Sequence, residues 1–89
     1  MEELDRLRAQ IDAIDEQMVP LFEQRMAISA RIGVLKRESG RQVRDPQRGE
    51  ELLRNRAALL RDKSLAPYAD AFFEMLMDLS CRRQEALQR

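Results

Sequence analysis

Histidine is absent from the 89 residues. That removes the side chain that most often serves as general base near neutral pH, the commonest metal ligand, and every Ser-His or Cys-His nucleophilic pair. The single cysteine, Cys81, has no partner for an intrachain disulfide and no set of thiols for a Cys-rich zinc site. It reads as a small buried hydrophobe. Neither sign of charge is in excess: sixteen basic residues meet sixteen acidic ones. The bulk electrostatic pull toward nucleic acid or an anionic membrane is therefore missing. No run of about 18 apolar residues occurs, so nothing in the chain is expected to span a membrane. The opening residues, MEELDRLRAQ, are charged and lack the apolar core of a signal peptide. With no disulfide staples either, the chain reads as cytosolic. Aromatics stand at 4%, and glycine and proline at three residues each.

What remains is Ala, Leu, Arg, Glu, Gln and Met, a helix-forming composition. At 44% apolar and 36% charged, the chain can fold as one domain over residues 1–89. A chain this short buries only roughly 60–65% of its unfolded surface, so it is marginal alone and gains from a partner chain. Leu4, Leu7, Ile11, Ile14, Met18, Leu21, Ile28, Ile32 and Leu35 recur in alternating steps of three and four. They describe one long helix over about residues 3–38, carrying a heptad seam. Too little chain is left to cover such a helix, and self-association is the remedy. Pro20 denies that helix one backbone hydrogen bond. The heptad phase passes through it unchanged, which favours one kinked helix over two helices separated by a loop. Ser39-Gly40 ends the helix, with Gly40 suited to a left-handed conformation. Asp45-Pro46 opens a second helix, as N-cap and first helical residue, over about 46–63 with Leu52, Leu53, Leu59 and Leu60 inside. A third runs from about 66 to 87, with Phe72, Phe73, Leu76, Leu79 and Leu87 as its inner stripe. The fold class is all-α, and the methionines (Met18, Met26, Met75, Met77) read as core filler.

The informative residues are the polar ones that interrupt this pattern. Arg25 falls on the seam position after Leu21, where an unpaired buried charge would cost several kcal/mol. Lys36 lies eleven residues on, within about 20° of the same face and about 16 Å along the axis. Two readings stay open for this pair: long side chains that snorkel to solvent or meet carboxylates across the seam, or cationic tips that converge on one anion. Arg8 flanks the seam about 25 Å from Arg25, so the two can serve one site only if Arg8 comes from a second, antiparallel chain. Otherwise Arg8 is a surface charge. Ser80 and Gln84 stand four apart on one face of the third helix, beside Phe73 and Met77, as site donors or as structural polar groups. Arg48 carries a positive charge into the first turn of the second helix, which the helix dipole disfavours unless an anion lies near.

The stretch LRAQIDAIDEQMVPLFEQRMAISARIGVLK, followed by VRDPQR and by Ser80-x-x-x-Gln84, resembles the all-helical, AroQ-class chorismate mutases. The likeness covers essentially the whole chain in order and spacing. It implies a three-helix protomer that intertwines into a homodimer with two shared sites. It implies the Claisen rearrangement of chorismate to prephenate, on the route to phenylalanine and tyrosine, without metal or cofactor. On the family pattern Arg25, and Arg8 from the other subunit, take the substrate carboxylates. Lys36 reaches the ether oxygen and a carboxylate, and Gln84 donates to the ether oxygen. Ser80 and Arg48 support binding, and the Asp45 backbone meets the substrate hydroxyl. At Gly49 the chain departs from the pattern, which has a glutamate there to accept from the ring hydroxyl. Glu50 is turned by about 100° on a helix and does not replace it. An isochorismate pyruvate-lyase on the same helical dimer, and a non-catalytic mutase-like dimer or regulatory module, are the alternative expectations.

Overall fold

The computed structural model describes residues 1–88. Helix α1 spans Glu2–Ser39, α2 spans Pro46–Ala58, and α3 spans Ala66–Leu87, with a short 3₁₀ turn at Lys63–Leu65 before α3. The 38 residues of α1 form one unbroken helix that includes Pro20. Acidic Glu2, Glu3 and Asp5 in its first turn and basic Lys36 and Arg37 in its last complement the helix dipole. Gly40, at φ 72°, adopts the left-handed conformation expected of it. That turn lets the Gly40 and Arg41 amides donate to the Arg37 and Lys36 carbonyls and satisfies the end of the helix. Asp45 caps α2 by accepting from the Arg48 amide at 3.1 Å, with Pro46 behind it as the first helical residue.

The second helix is shorter than its apolar pattern suggests, ending at Ala58 rather than near residue 63. The Leu59 and Leu60 amides reach back only three residues, to the Arg56 and Ala57 carbonyls. Lys63 folds back so that its ammonium donates to the Ala57 and Ala58 carbonyls at 3.2 and 3.0 Å. Asp62 then caps the next turn by accepting from the Ser64 amide. Leu59, read as an inner residue, consequently points outward and is 77% exposed.

The chain forms an elongated object of 55 × 26 × 15 Å with a radius of gyration of 16.3 Å. A compact domain of this length would have a radius near ~12 Å. α3 packs against the C-terminal half of α1 and against α2. The N-terminal half of α1 extends past them, exposed from Asp5 through Gln24. Among the described residues Leu52, at 4% exposure, is the one buried apolar side chain. Phe72 and Leu87, expected on the inner stripe of α3, are exposed in the protomer, as are Met18 and Met75. Cys81 is half-buried. These apolar groups lack the covering that a packed interior would give them.

Two flanks of α1 explain this. With Arg25 as reference at 100° per residue, Ser29 and Gly33 lie about 40° and 80° to one side, whereas Ile28 and Leu35 lie about 60° and 80° to the other. The first flank is small and polar and packs on α3, where Ser29 and Gly33 are buried. The second belongs to the apolar seam and is bare, with Leu21 61% and Leu35 64% exposed. No helix among the described residues is long and apolar enough to cross a membrane.

Candidate functional site

The three helices and the 41–45 connection enclose an open cleft of about 710 Å³. Arg25, Lys36, Asp45, Arg48, Ser80 and Gln84 all line it, together with Gly49. Thus six of the seven residues singled out from the sequence meet at one place. Arg8 does not join them: it sits on the exposed N-terminal half of α1, outside the lining of the cleft.

Arg25 is drawn inward by α3. Its guanidinium donates to the Ser80 hydroxyl oxygen at 2.7 Å and more weakly to the Leu76 carbonyl at 3.4 Å. Neither acceptor is charged, so the positive charge is oriented without being neutralised. Burial lowers the pKa of this guanidinium from its ordinary value, and the like charges of Arg56 and Arg48 lower it further. Arginine still remains protonated at any physiological pH. The shift therefore reports a cation held where an anion would be welcome. Lys36 donates its ammonium to the Val43 carbonyl at 2.6 Å, which ties the end of α1 to the extended connection leading into α2. Across that connection Arg44 bridges to Asp78 at 3.0 Å and Glu85 at 3.1 Å on α3. The Arg44 hydrogen bond is the main reason the Asp78 carboxyl lies below the usual carboxylate range. The ion pairs fix the lip of the cleft rather than its floor.

The floor is Gln84, 5% exposed. Its amide nitrogen donates to the Ser29 hydroxyl oxygen at 2.9 Å, and its Oε1 is buried without a partner. Such an orphaned acceptor carries a desolvation cost of about 1–3 kcal/mol, which a site tolerates when a ligand is to complete it. Gly33 makes room for this side chain. A Cβ added there would lie 2.8 Å from Cγ and 3.0 Å from Cβ of Gln84. Gly49 is different, because a Cβ added there would meet only the Met77 side chain, at 3.7 and 3.9 Å. That wall of the cleft is open where a longer side chain would project.

Ser29, Gly33 and Arg56 are site-lining or site-forming residues that the sequence reading passed over. Ser29 and Gly33 had a signal: with Arg25 and Lys36 they step by four, four and three along α1, a polar stripe beside the apolar seam. Arg56 had none, since a charged residue in mid-helix is by default solvated.

Comparison with known proteins identifies the family. A family model described as chorismate mutase type II matches residues 7–85. The bifunctional chorismate mutase/prephenate dehydratase of Aquifex aeolicus (strain VF5) is 38% identical over 52 residues. That match covers 58% of this chain and 14% of the relative, so the chain spans a small part of that protein's length. No solved structure matches the chain significantly.

Proposed function

The chain belongs to the chorismate mutase type II family, and from that premise we propose that it rearranges chorismate to prephenate in the cytosol, as a homodimer with two shared sites. The observation that carries this reading is Arg25. It is a guanidinium held at 2.7 Å by a neutral serine, beside a lysine and a second arginine, with no carboxylate spent on it among the described residues. Such a cluster suits a dianion.

The reaction is an intramolecular electron shift. The ether C–O bond breaks, a C–C bond forms between the ends of the two allylic fragments, and no proton changes place. The residues need only position and stabilise. Arg25 takes one carboxylate, and Arg8 of the partner subunit takes the other. Together they hold the folded conformer in which the reacting carbons meet, replacing a costly conformational search with binding. Negative charge grows on the ether oxygen as its bond lengthens. Lys36 and Gln84 supply the donors there, in a site where water is scarce and each fixed dipole counts for more. For Gln84 this requires an amide turn. After a half-rotation the Ser29 hydroxyl swings its proton from the Ser80 carbonyl, a long 3.4 Å contact, to Oε1, and Nε2 takes the buried position of the now unpartnered oxygen. Ser80 has its own proton free to give to a carboxylate while its oxygen receives Arg25. Arg48 adds charge on the α2 wall, and the Asp45 backbone meets the ring hydroxyl.

What the single chain leaves bare supports the homodimer. The apolar seam of α1 is uncovered from Leu7 to Leu35, and one apolar side chain alone is buried among the described residues. An antiparallel second copy covers the seam and carries its Arg8 about 25 Å back along the helix to the Arg25 region. Gly49 leaves the ring hydroxyl without a carboxylate acceptor on α2, and the expected enzyme is accordingly a weak binder of chorismate. The test is a direct assay. Purified protein is given chorismate and, separately, isochorismate. Substrate loss is followed spectrophotometrically, products are identified, and the oligomeric state is measured by sedimentation. Prephenate from chorismate and a dimer are expected. Pyruvate and salicylate from isochorismate alone would point to the lyase, and inertness toward both would leave a binding module.

A further inference from the structure

Arg56 lies two turns beyond Gly49 on α2 and lines the same cleft. Its guanidinium carbon stands 5.9 Å from the centroid of the Phe73 ring. A cation stacked on an aromatic face is held in place without being neutralised. Arg56 forms no ion pair among the described residues. On α2, at 100° per residue, Arg48, Leu52, Arg56 and Gly49 fall at about 0°, 40°, 80° and 100°, one continuous face. Arg48 and Arg56 therefore flank Leu52 on the cleft face of α2, and Gly49, next to Arg48 along the axis and next to Arg56 in angle, leaves the edge of that face without a side chain. Arg25 approaches that face from α1, close enough for both guanidiniums to disfavour its charge.

None of the carboxylates near this cluster makes a close ion pair with its guanidiniums. Asp45 accepts from the Arg48 amide, and Asp78 is shared between Arg44 and Arg82. Glu74 lines the cleft without forming an ion pair to any of the three arginines, and Glu51 approaches Arg48 only at 3.9 Å. Three guanidiniums lining one cleft, none with an ion pair closer than 3.9 Å and two of them disfavouring the charge of the third, form a seat for an anionic group.

We propose that Arg56 is a further substrate-binding residue, which with Arg25 and Arg48 seats one carboxylate of the dianionic substrate against the bare wall at Gly49. This rests on the reading of the cleft as the site of a dicarboxylate reaction. It gives that site a third guanidinium from within one protomer, where the sequence pattern supplied two. Its charge offsets only part of the affinity lost with the hydroxyl acceptor.

The experiment compares wild type, Arg56→Gln, Arg56→Lys and, as a surface control on the far side of α2, Arg54→Gln. Two readouts are taken from each: KM and kcat on chorismate, and the rise in thermal midpoint given by malonate at constant ionic strength. Loss of one charge-assisted hydrogen bond corresponds to roughly a tenfold weakening or more. Arg56→Gln is expected to raise KM at least tenfold with kcat within threefold, and to abolish most of the malonate-induced rise. Arg56→Lys should recover part of both, and Arg54→Gln should match wild type. A KM for Arg56→Gln within twofold of wild type overturns the assignment. If wild type fails to turn over chorismate, the proposed function falls, and the malonate arm then decides Arg56 alone. A rise lost in Arg56→Gln supports the anion seat, and a rise that persists in the variant, or is absent from wild type, overturns it.

Discussion

Two glycines lie within helices of this protein, and alanine at each should change stability in opposite directions. At Gly33 the new methyl would stand 2.8 Å from Cγ and 3.0 Å from Cβ of Gln84. The second distance matters more, because a Cβ moves only with its backbone, and α3 is held to α1 on both sides of this point. Overpacking of this kind costs about 1–3 kcal/mol, against which the better helix propensity of alanine returns about 1 kcal/mol. A displaced Gln84 also loses its 2.9 Å contact with Ser29, worth about 1 kcal/mol more. Gly33→Ala should therefore destabilise the protein by about 1–3 kcal/mol. At Gly49 the new methyl meets the Met77 sulfur at 3.7 Å, an ordinary contact. Only the propensity gain remains, so Gly49→Ala should stabilise by about 0.5–1 kcal/mol. Urea unfolding followed by circular dichroism, at one fixed protein concentration because the proposed assembly would contribute to stability, measures both. Gly33→Ala should also lower kcat on chorismate, since the residue it displaces is the one assigned to the ether oxygen. A Gly33→Ala protein as stable as wild type would refute the reasoning, as would a Gly49→Ala protein weakened by more than about 0.5 kcal/mol.

Arg25→Leu should reduce kcat/KM on chorismate by about two orders of magnitude while leaving the helical spectrum and unfolding midpoint close to wild type, because a half-buried cation is exchanged for an apolar group; retained activity would contradict its role. Leu21→Lys places a charge on the bare seam of α1, where Leu21 is 61% exposed in the protomer, and should shift sedimentation toward monomer with loss of activity; an unchanged dimer would place the interface elsewhere. The Asp78 carboxyl is held below its ordinary range chiefly by the Arg44 hydrogen bond. A group with a depressed folded pKa contributes stability above its unfolded value, about 3.9, and loses it as pH falls through the folded value. Urea midpoints should therefore fall more steeply for wild type than for Asp78→Asn as pH drops below about 4, and parallel curves would contradict the assignment.

Much of this architecture can be read from the residue order because it rests on local chemistry. Gly40 ends α1 through its left-handed φ, and Asp45-Pro46 starts α2 through a side-chain cap, both decided within a few residues. The heptad steps of α1 survive Pro20 because one missing donor costs a helix less than losing its whole apolar face. What could not be read depends on distant partners. α2 ends at Ala58 because Lys63 turns back to its carbonyls, an arrangement that the apolar pair Leu59-Leu60 conceals. Ser29 and Gly33 acquire meaning only when Gln84, more than fifty residues on, is placed against them. Arg56 looks like any solvated helix charge until Phe73 and Arg25 close around it. The cations of the cleft were legible as interruptions of a hydrophobic rhythm. The neutral residues that aim them were not.

In the proposed dimer each site takes Arg25 from one chain and Arg8 from another, and subunit mixing tests this most directly. Arg8→Ala and Arg25→Ala proteins, each inactive alone, are unfolded together in equal amounts, refolded, and assayed on chorismate. In a two-fold symmetric dimer half of the molecules become heterodimers, each with one intact site of two, so about one quarter of wild-type activity should return. A mixture no more active than its parents would contradict the shared site.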